Sequence, residues 1–170
     1  MIQTRWHVIT GAPCSGKTAV IQELEVRGYR VVHETARSFL EKKREESKSP
    51  EFRKQAQTTI LEMKLDIESS LPVDETLFLD RGAPDSIAYY RLHELDPAEV
   101  FQRGRRRRYR RVFFCDRLPL EPDAIRTEDE ATAAKLHAFL LDAYRRFDYE
   151  VISVPVRSIR ERTEFILKHL

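Results

Sequence analysis

Lys17 and Thr18 close an eight-residue stretch, Gly11-Ala12-Pro13-Cys14-Ser15-Gly16-Lys17-Thr18, whose residue types and spacing specify chemistry by themselves. Two glycines let the backbone curl so that successive N–H groups point inward at phosphate oxygens, at the positive end of the helix that follows. Lys17 is placed to reach the β- and γ-phosphates, and the Thr18 hydroxyl is placed to meet a Mg²⁺ that bridges them. Gly11, Ala12, Pro13, Cys14, Ser15, Gly16, Lys17, Thr18 and Ala19 are therefore the candidate binding residues for a nucleoside triphosphate. Nothing in the sequence reads the base, so ATP and GTP are equally open.

A second constellation is Asp80-Arg81-Gly82 at the end of an apolar run. A carboxylate there, on a strand beside the phosphate loop, is suited to hold Mg²⁺ directly or through water, which makes Thr18 and Asp80 the candidate metal ligands. Arg81 carries a planar fork of donors suited to a phosphate or a substrate hydroxyl. The alternative is an Asp cap with an Arg partner at a strand-to-helix turn. Asp85, on the next helix, is either a first-turn acid at the helix dipole or a substrate ligand. Glu34 ends the strand Tyr29–Glu34 and Arg37 lies just beyond it, at the edge where α/β sheets collect their ligands; they read equally as a cap and a surface pair opening a helix.

The elements that must position these groups alternate. Trp6–Thr10 is a short β-prone run, and Lys17–Val26 carries Val20, Ile21 and Leu24 at helical spacing before Gly28 stops it. Strand-sized apolar runs recur at Tyr29–Glu34, Thr76–Leu79, Val112–Cys115 and Tyr149–Pro155. Between them lie helical patterns: Phe52, Ala56, Ile60, Met63, Ile67 and Leu71; then Pro84–Leu92; then a start at Asp96-Pro97; then Ala133, Leu136, Leu140, Tyr144 and Phe147; and finally Ile159, Thr163, Ile166 and Leu170. Strand-crossover-strand units of this kind predict an α/β fold of three layers, a five-stranded parallel sheet with helices on both faces. The charged stretch Glu41–Pro50 is expected to be a solvated helix end and loop. Leu118–Asp129, polar and proline-punctuated, is expected to form a short lid over about 117–129 that brings an arginine, Arg117 or Arg126, to the phosphates. An ordinary surface loop is the alternative.

With 170 residues, 41% hydrophobic, the chain suits one domain spanning 1–170. Thirty basic and 28 acidic residues leave a net charge of +2, the balance of an ordinary mixed surface rather than of a nucleic-acid coat. No run is long enough for a membrane span, and a cytoplasmic protein is expected. Cys14 and Cys115 are expected to be free thiols, and the five histidines show no metal-ligand spacing. Arg103–Arg111 is the one strongly basic run. It reads best as a solvated helix end and turn, with attraction of a polyanion such as RNA or an anionic lipid headgroup as the alternative.

Ile9–Thr18, Gly28–Arg37, Leu79-Asp80-Arg81-Gly82 with Asp85, and Asp123–Glu128 together resemble the small P-loop domain termed AAA-type ATPase but built like the ribosylnicotinamide kinase domain of bacterial NAD-synthesis regulators. The resemblance spans nearly the full length. The chain is also similar to deoxynucleoside kinases, in which an acid ends the second strand and an acidic-Arg pair ends the third, places matched here by Glu34 and by Asp80-Arg81. The resemblance implies ATP or GTP and Mg²⁺ as cofactors and a small nucleoside-like molecule as phosphoryl acceptor. It implies that Lys17, Glu34, Asp80, Arg81 and Arg126 are catalytic, with Glu34 taking a proton from the acceptor hydroxyl, Arg81 and Arg37 orienting the acceptor, and Arg117 or Arg126 neutralising the moving group. Two other functions are open: a nucleotide-dependent switch or ATPase engaging an anionic lipid or a protein through the arginine run, and a kinase acting on polynucleotide ends.

Overall fold

Side chains alternate across the strands and sort the core into two layers. β2 (Trp6–Thr10) is the central strand, paired in parallel with β4 (Leu77–Asp80) on one side and β6 (Arg111–Cys115) on the other, so that Ile9 faces Asp80 and Phe113 in register. β3 (Arg30–Val32) and β7 (Val151–Val154) complete a five-stranded parallel sheet in the order β3-β4-β2-β6-β7. Trp6, Val8, Leu77, Leu79 and Val112 point to one face. Ile9, Phe78, Phe113 and Cys115 point to the other, which is the period-two pattern of a strand buried on both sides. The computed structural model describes residues 1–43, 46, 49–118 and 130–170.

Val20, Ile21 and Leu24 of α1 (Lys17–Val26) and Ile166 of α7 (Ile159–Lys168) cover the second face. The first is covered by α3 (Pro50–Ser70), α4 (Asp85–Leu92), α5 (Ala98–Gly104) and α6 (Glu130–Arg146), through Leu61, Ile87, Val100, Ala143 and Tyr144. α2 (Thr35–Lys42) rests on α3, with Phe39 stacked on Phe52. The predicted stripe of α6 is buried from Ala133 through Tyr144, and Phe147 just past its end joins the same core. Among the described residues no helix is long and apolar enough to cross a membrane. The proposed lid, 117–129, lies outside the described residues except for Arg117 and Leu118.

Three expectations are corrected. The buried line of α3 runs through Ala56, Gln57, Ile60, Leu61, Lys64 and Glu68, not through Met63 and Ile67, which are half-buried. The helix is rotated because Lys64 and Glu68 find acceptors and donors inside. On α7, Ile159 is exposed, as is Leu170 just beyond its end, and it is Arg162, Thr163 and Ile166 that are buried. The basic run is not a solvated turn throughout. Arg107–Arg108 form β5, a second, two-stranded parallel sheet with β1 (Ile2–Gln3). Arg108 donates to the Phe147 carbonyl at 3.1 Å and the Asp148 carbonyl at 2.7 Å. Arg107 donates to the Ser69 carbonyl and lies over the Trp6 ring.

Candidate active site

The phosphate loop leaves β2 at Thr10 and enters α1 at Lys17. Gly11 sits at φ 143°, and a Cβ there would lie 2.6 Å from the Cys115 carbonyl oxygen. Only glycine lets the loop pass so close to β6. Gly16 caps α1 in the left-handed region at φ 78°. The Lys17 side chain folds back and donates to the Ala12 carbonyl at 3.1 Å, buried at the centre of the loop. Burial, and then the Arg81 cation, push its pKa down to about 8 against the opposing pull of Glu34 and Asp80. Thr18 is half-buried beside it, Ser15 is buried with its hydroxyl unpartnered among the described residues, and Cys14 is the exposed tip.

Asp80 ends β4 in register with Ile9, one strand over from the loop. It is buried, and its Oδ1 has no hydrogen-bond partner among the described residues. Burial first, and then the Glu34 carboxylate, raise its pKa against the pull of Arg81 and Lys17. A buried carboxylate oxygen without a donor costs free energy, and a hard cation would remove that cost. Among the described residues no group of three or more His, Cys, Asp or Glu is arranged to hold a metal. Mg²⁺ asks for less, one or two protein oxygens completed by phosphates and water, and Asp80 with Thr18 fits that demand.

Arg81 ties the site together. Its φ of 72° is strained for a non-glycine residue, of the order of 1 kcal/mol, and is held by its partners. Its backbone N–H bonds the Ile9 carbonyl at 3.0 Å. Nε donates to Glu34 Oε1 at 2.7 Å, and Nη1 donates to Asp85 Oδ1 at 2.9 Å and to the Gly11 carbonyl at 3.2 Å. One guanidinium thus spans the tip of β3, the phosphate loop and the start of α4. Burial alone would raise the Glu34 pKa, but Arg81, Lys17 and Lys64 hold it below the usual carboxylate range.

Asp85 is buried, and both its oxygens are occupied by the chain. Oδ1 accepts from Thr10 Oγ1 at 2.7 Å as well as from Arg81, and Oδ2 accepts from the Gly82 N–H at 3.0 Å and from the Tyr144 hydroxyl. Asp85 is the acid in the first turn of α4, one of the two roles the sequence left open, and it is also the buried counter-ion of Arg81. Arg37 lies in the first turn of α2, and its side chain is outside the described part. Arg117 follows β6, half-buried. Arg126, Asp123 and Glu128 lie outside the described residues.

Side chains that the periodicity hid complete the site. Lys64 Nζ donates to the Gly82 carbonyl at 3.0 Å. The Tyr109 hydroxyl donates to Glu68 Oε1 and accepts from the Ala83 N–H, both at 2.8 Å. Lys64 and Glu68 join Asp80, Arg81, His33, Val32, Ile67 and Leu79 around a cleft at the carboxyl ends of β3 and β4.

An AAA domain family matches the sequence over residues 6–162. The chain belongs to this family. No sequence match to a curated protein was found for this AAA domain. Its fold recurs in solved structures. The NadR protein in complex with NR is 17% identical with a TM-score of 0.71, and the match covers 91% of this chain and 46% of that one. Deoxyadenosine kinase from M. mycoides, with dCMP and dCDP bound, is 12% identical with a TM-score of 0.72, covering 96% and 97%. Thymidylate kinase from Ehrlichia chaffeensis is 14% identical with a TM-score of 0.67, covering 99% of each. The AAA domain therefore spans a little under half of NadR and nearly all of the two kinases. At these identities the likeness is one of fold, a P-loop kinase-like α/β domain.

Proposed function

We propose that this AAA domain is a Mg²⁺-dependent phosphotransferase that moves the γ-phosphoryl group of ATP or GTP to a hydroxyl of a small nucleoside-like acceptor. The observation that carries it is the placement of Glu34, ionised and held at 2.7 Å by Arg81, whose guanidinium also donates to the Gly11 carbonyl of the phosphate loop. A motor ATPase needs an acid beside Asp80 to activate water, and that position is Arg81. The two kinases it resembles over their full length act on deoxyadenosine and thymidylate by name, and NadR was crystallised with NR, which supports an acceptor of that class.

In this reading the loop N–H groups and Lys17 hold the triphosphate, and phosphate anions replace the Ala12 carbonyl as the partner of Lys17 Nζ. Mg²⁺, held by Thr18 and Asp80, would neutralise charge developing between the β- and γ-phosphates. The acceptor would lie over the carboxyl ends of β3 and β4 with its hydroxyl toward Glu34. As the acceptor oxygen bonds the γ-phosphorus and the bond to the β-phosphate oxygen breaks, the hydroxyl proton passes to Glu34. Arg81 fixes Glu34 and stays charged throughout. Arg117 or Arg126 would add charge at the transferring group.

Transfer from γ-labelled ATP and GTP with Mg²⁺ into nucleosides, ribosylnicotinamide, short oligonucleotides and phosphoinositides tests this. Label in one small acceptor, lost in Glu34→Gln with nucleotide binding kept, is the expected result. Nucleotide binding with no acceptor labelled would overturn transfer, and label in an oligonucleotide or a lipid would overturn the acceptor class.

A further inference from the structure

Opposite β3, on the other flank of β2, α7 places a second guanidinium against the phosphate loop. Ser158 caps this helix with its side chain, and Glu161 returns the bond, which fixes the first turn. Arg162 follows, 2% exposed. Its Nη1 donates to the Ser15 carbonyl at 2.8 Å. Its Nε and Nη2 are buried and have no partner among the described residues. A Cβ on Gly16 would stand 2.7 Å from Nη1, so the guanidinium lies directly against the loop where it turns into α1. It is also the foremost group opposing the rise that burial imposes on the Cys115 thiol, across the loop floor from Gly11.

An arginine cannot shed its proton, and a buried cation without a counter-ion is costly to keep. One carbonyl does not offset that cost, whereas an anion in the adjoining loop does. We propose that Arg162 is a positioning residue of the triphosphate site: it holds the Ser15 carbonyl outward, so that the loop N–H groups face the phosphates, and adds its uncompensated charge to the field on them. This rests on the nucleotide-binding reading above, and it goes beyond the motif, which contains no residue from α7.

The test compares Arg162→Met, which keeps an unbranched side chain without the charge, and Arg162→Lys, which keeps the charge without the fork. Calorimetric affinity for ATP, GTP, ADP and GDP with Mg²⁺ is measured beside the melting temperature of the nucleotide-free protein. The expected result for Arg162→Met is about tenfold weaker triphosphate binding, a smaller loss for diphosphates, and a nucleotide-free melting temperature equal to or above that of the wild type. Arg162→Lys should keep most of the wild-type preference for triphosphate over diphosphate. Equal losses for all nucleotides together with a lower melting temperature would reduce Arg162 to a fold residue, and unchanged affinities would overturn the proposal outright. If Arg162→Met does not fold, the lysine variant decides: a retained preference supports the charge, and a collapsed one overturns it. Wild-type protein that binds no triphosphate would instead sink the reading on which the proposal rests.

Discussion

The loop after β2 and the turn after β4 lie side by side at one end of the sheet and treat buried polar groups in opposite ways. In the turn the network is closed: Asp85 takes four donors, Arg81 gives to Glu34, Asp85 and Gly11, and Lys64 and Tyr109 take up the backbone of Gly82 and Ala83. Around the loop it is open: among the described residues Ser15 Oγ, Asp80 Oδ1 and Arg162 Nε and Nη2 are buried without partners, and Lys17 rests on a single carbonyl. A closed network fixes geometry, whereas an open one holds free energy that only a ligand can release. The turn is the frame, and the loop is where something binds.

Removing the keystone of the frame should cost most. Asp85→Ala leaves the Arg81 cation buried and half-released, and breaking such a pair costs about 3–5 kcal/mol. Chemical denaturation should show that loss, with Arg81→Ala in the same background adding far less than it does alone. If Asp85→Ala unfolds at the wild-type midpoint, the turn is not the closed unit described.

Asp80→Asn attacks the open side and should behave inversely. It removes a buried carboxylate that lacks a donor, so stability should hold or rise, while Mg²⁺-dependent transfer falls by a factor on the order of 10²–10³, as expected for loss of one group that stabilises transition-state charge. A fall in stability together with unchanged transfer would reverse the assignments of loop and turn.

The division also explains what the sequence disclosed. The phosphate loop and the Asp80-Arg81 step were legible because each is a contiguous pattern at the end of an apolar run. Glu34 could be placed at a strand edge, but its tie to Arg81 depends on β3 pairing with β4 outside β2, which no local pattern records. Lys64 and Glu68 were hidden because a helix shows which residues are apolar and not which polar ones find partners inside. Arg162 was hidden likewise among the charges of α7, and although Asp85 could be read locally as a first-turn acid, its donors Tyr144 and Thr10 are distant in sequence and no local pattern shows them. The arginine run misled in the opposite sense, since the acceptors of Arg105, Arg107 and Arg108 are carbonyls, which any sequence offers.

The titration of Lys17 probes the open side more gently. Its pKa in the free protein is about 8, and phosphates beside it favour the charged form and raise that value in the complex. Binding is therefore full-strength below pH 8 and takes up a proton above it, so affinity should fall by up to about tenfold per pH unit between pH 8 and the raised pKa of the complex. Calorimetry in buffers of differing ionisation enthalpy should register the proton uptake at pH 8.5. A flat profile would mean that Lys17 is not the group meeting the phosphates.

The smallest effect should come from the region that seemed most charged. Arg108 binds two carbonyls and stacks over the Tyr149 ring with its guanidinium carbon 4.7 Å from the centroid. Arg105 lies over Phe147 and donates to the Arg146 carbonyl. These contacts join β5 to the end of α6 and the start of β7. If that is their work, Arg108→Ala should lower stability by about 1 kcal/mol through lost stacking and hydrogen bonds, and leave triphosphate affinity and its salt dependence unchanged. A polyanion-binding surface would respond in the other direction, with stability intact and the salt slope of binding to RNA or anionic vesicles reduced by about one per cation removed. Guanidinium groups already committed to carbonyls must break those bonds to meet a phosphate, so their density along the chain overstates the field they present, whereas Arg162, against the loop, keeps two buried nitrogens without a partner among the described residues.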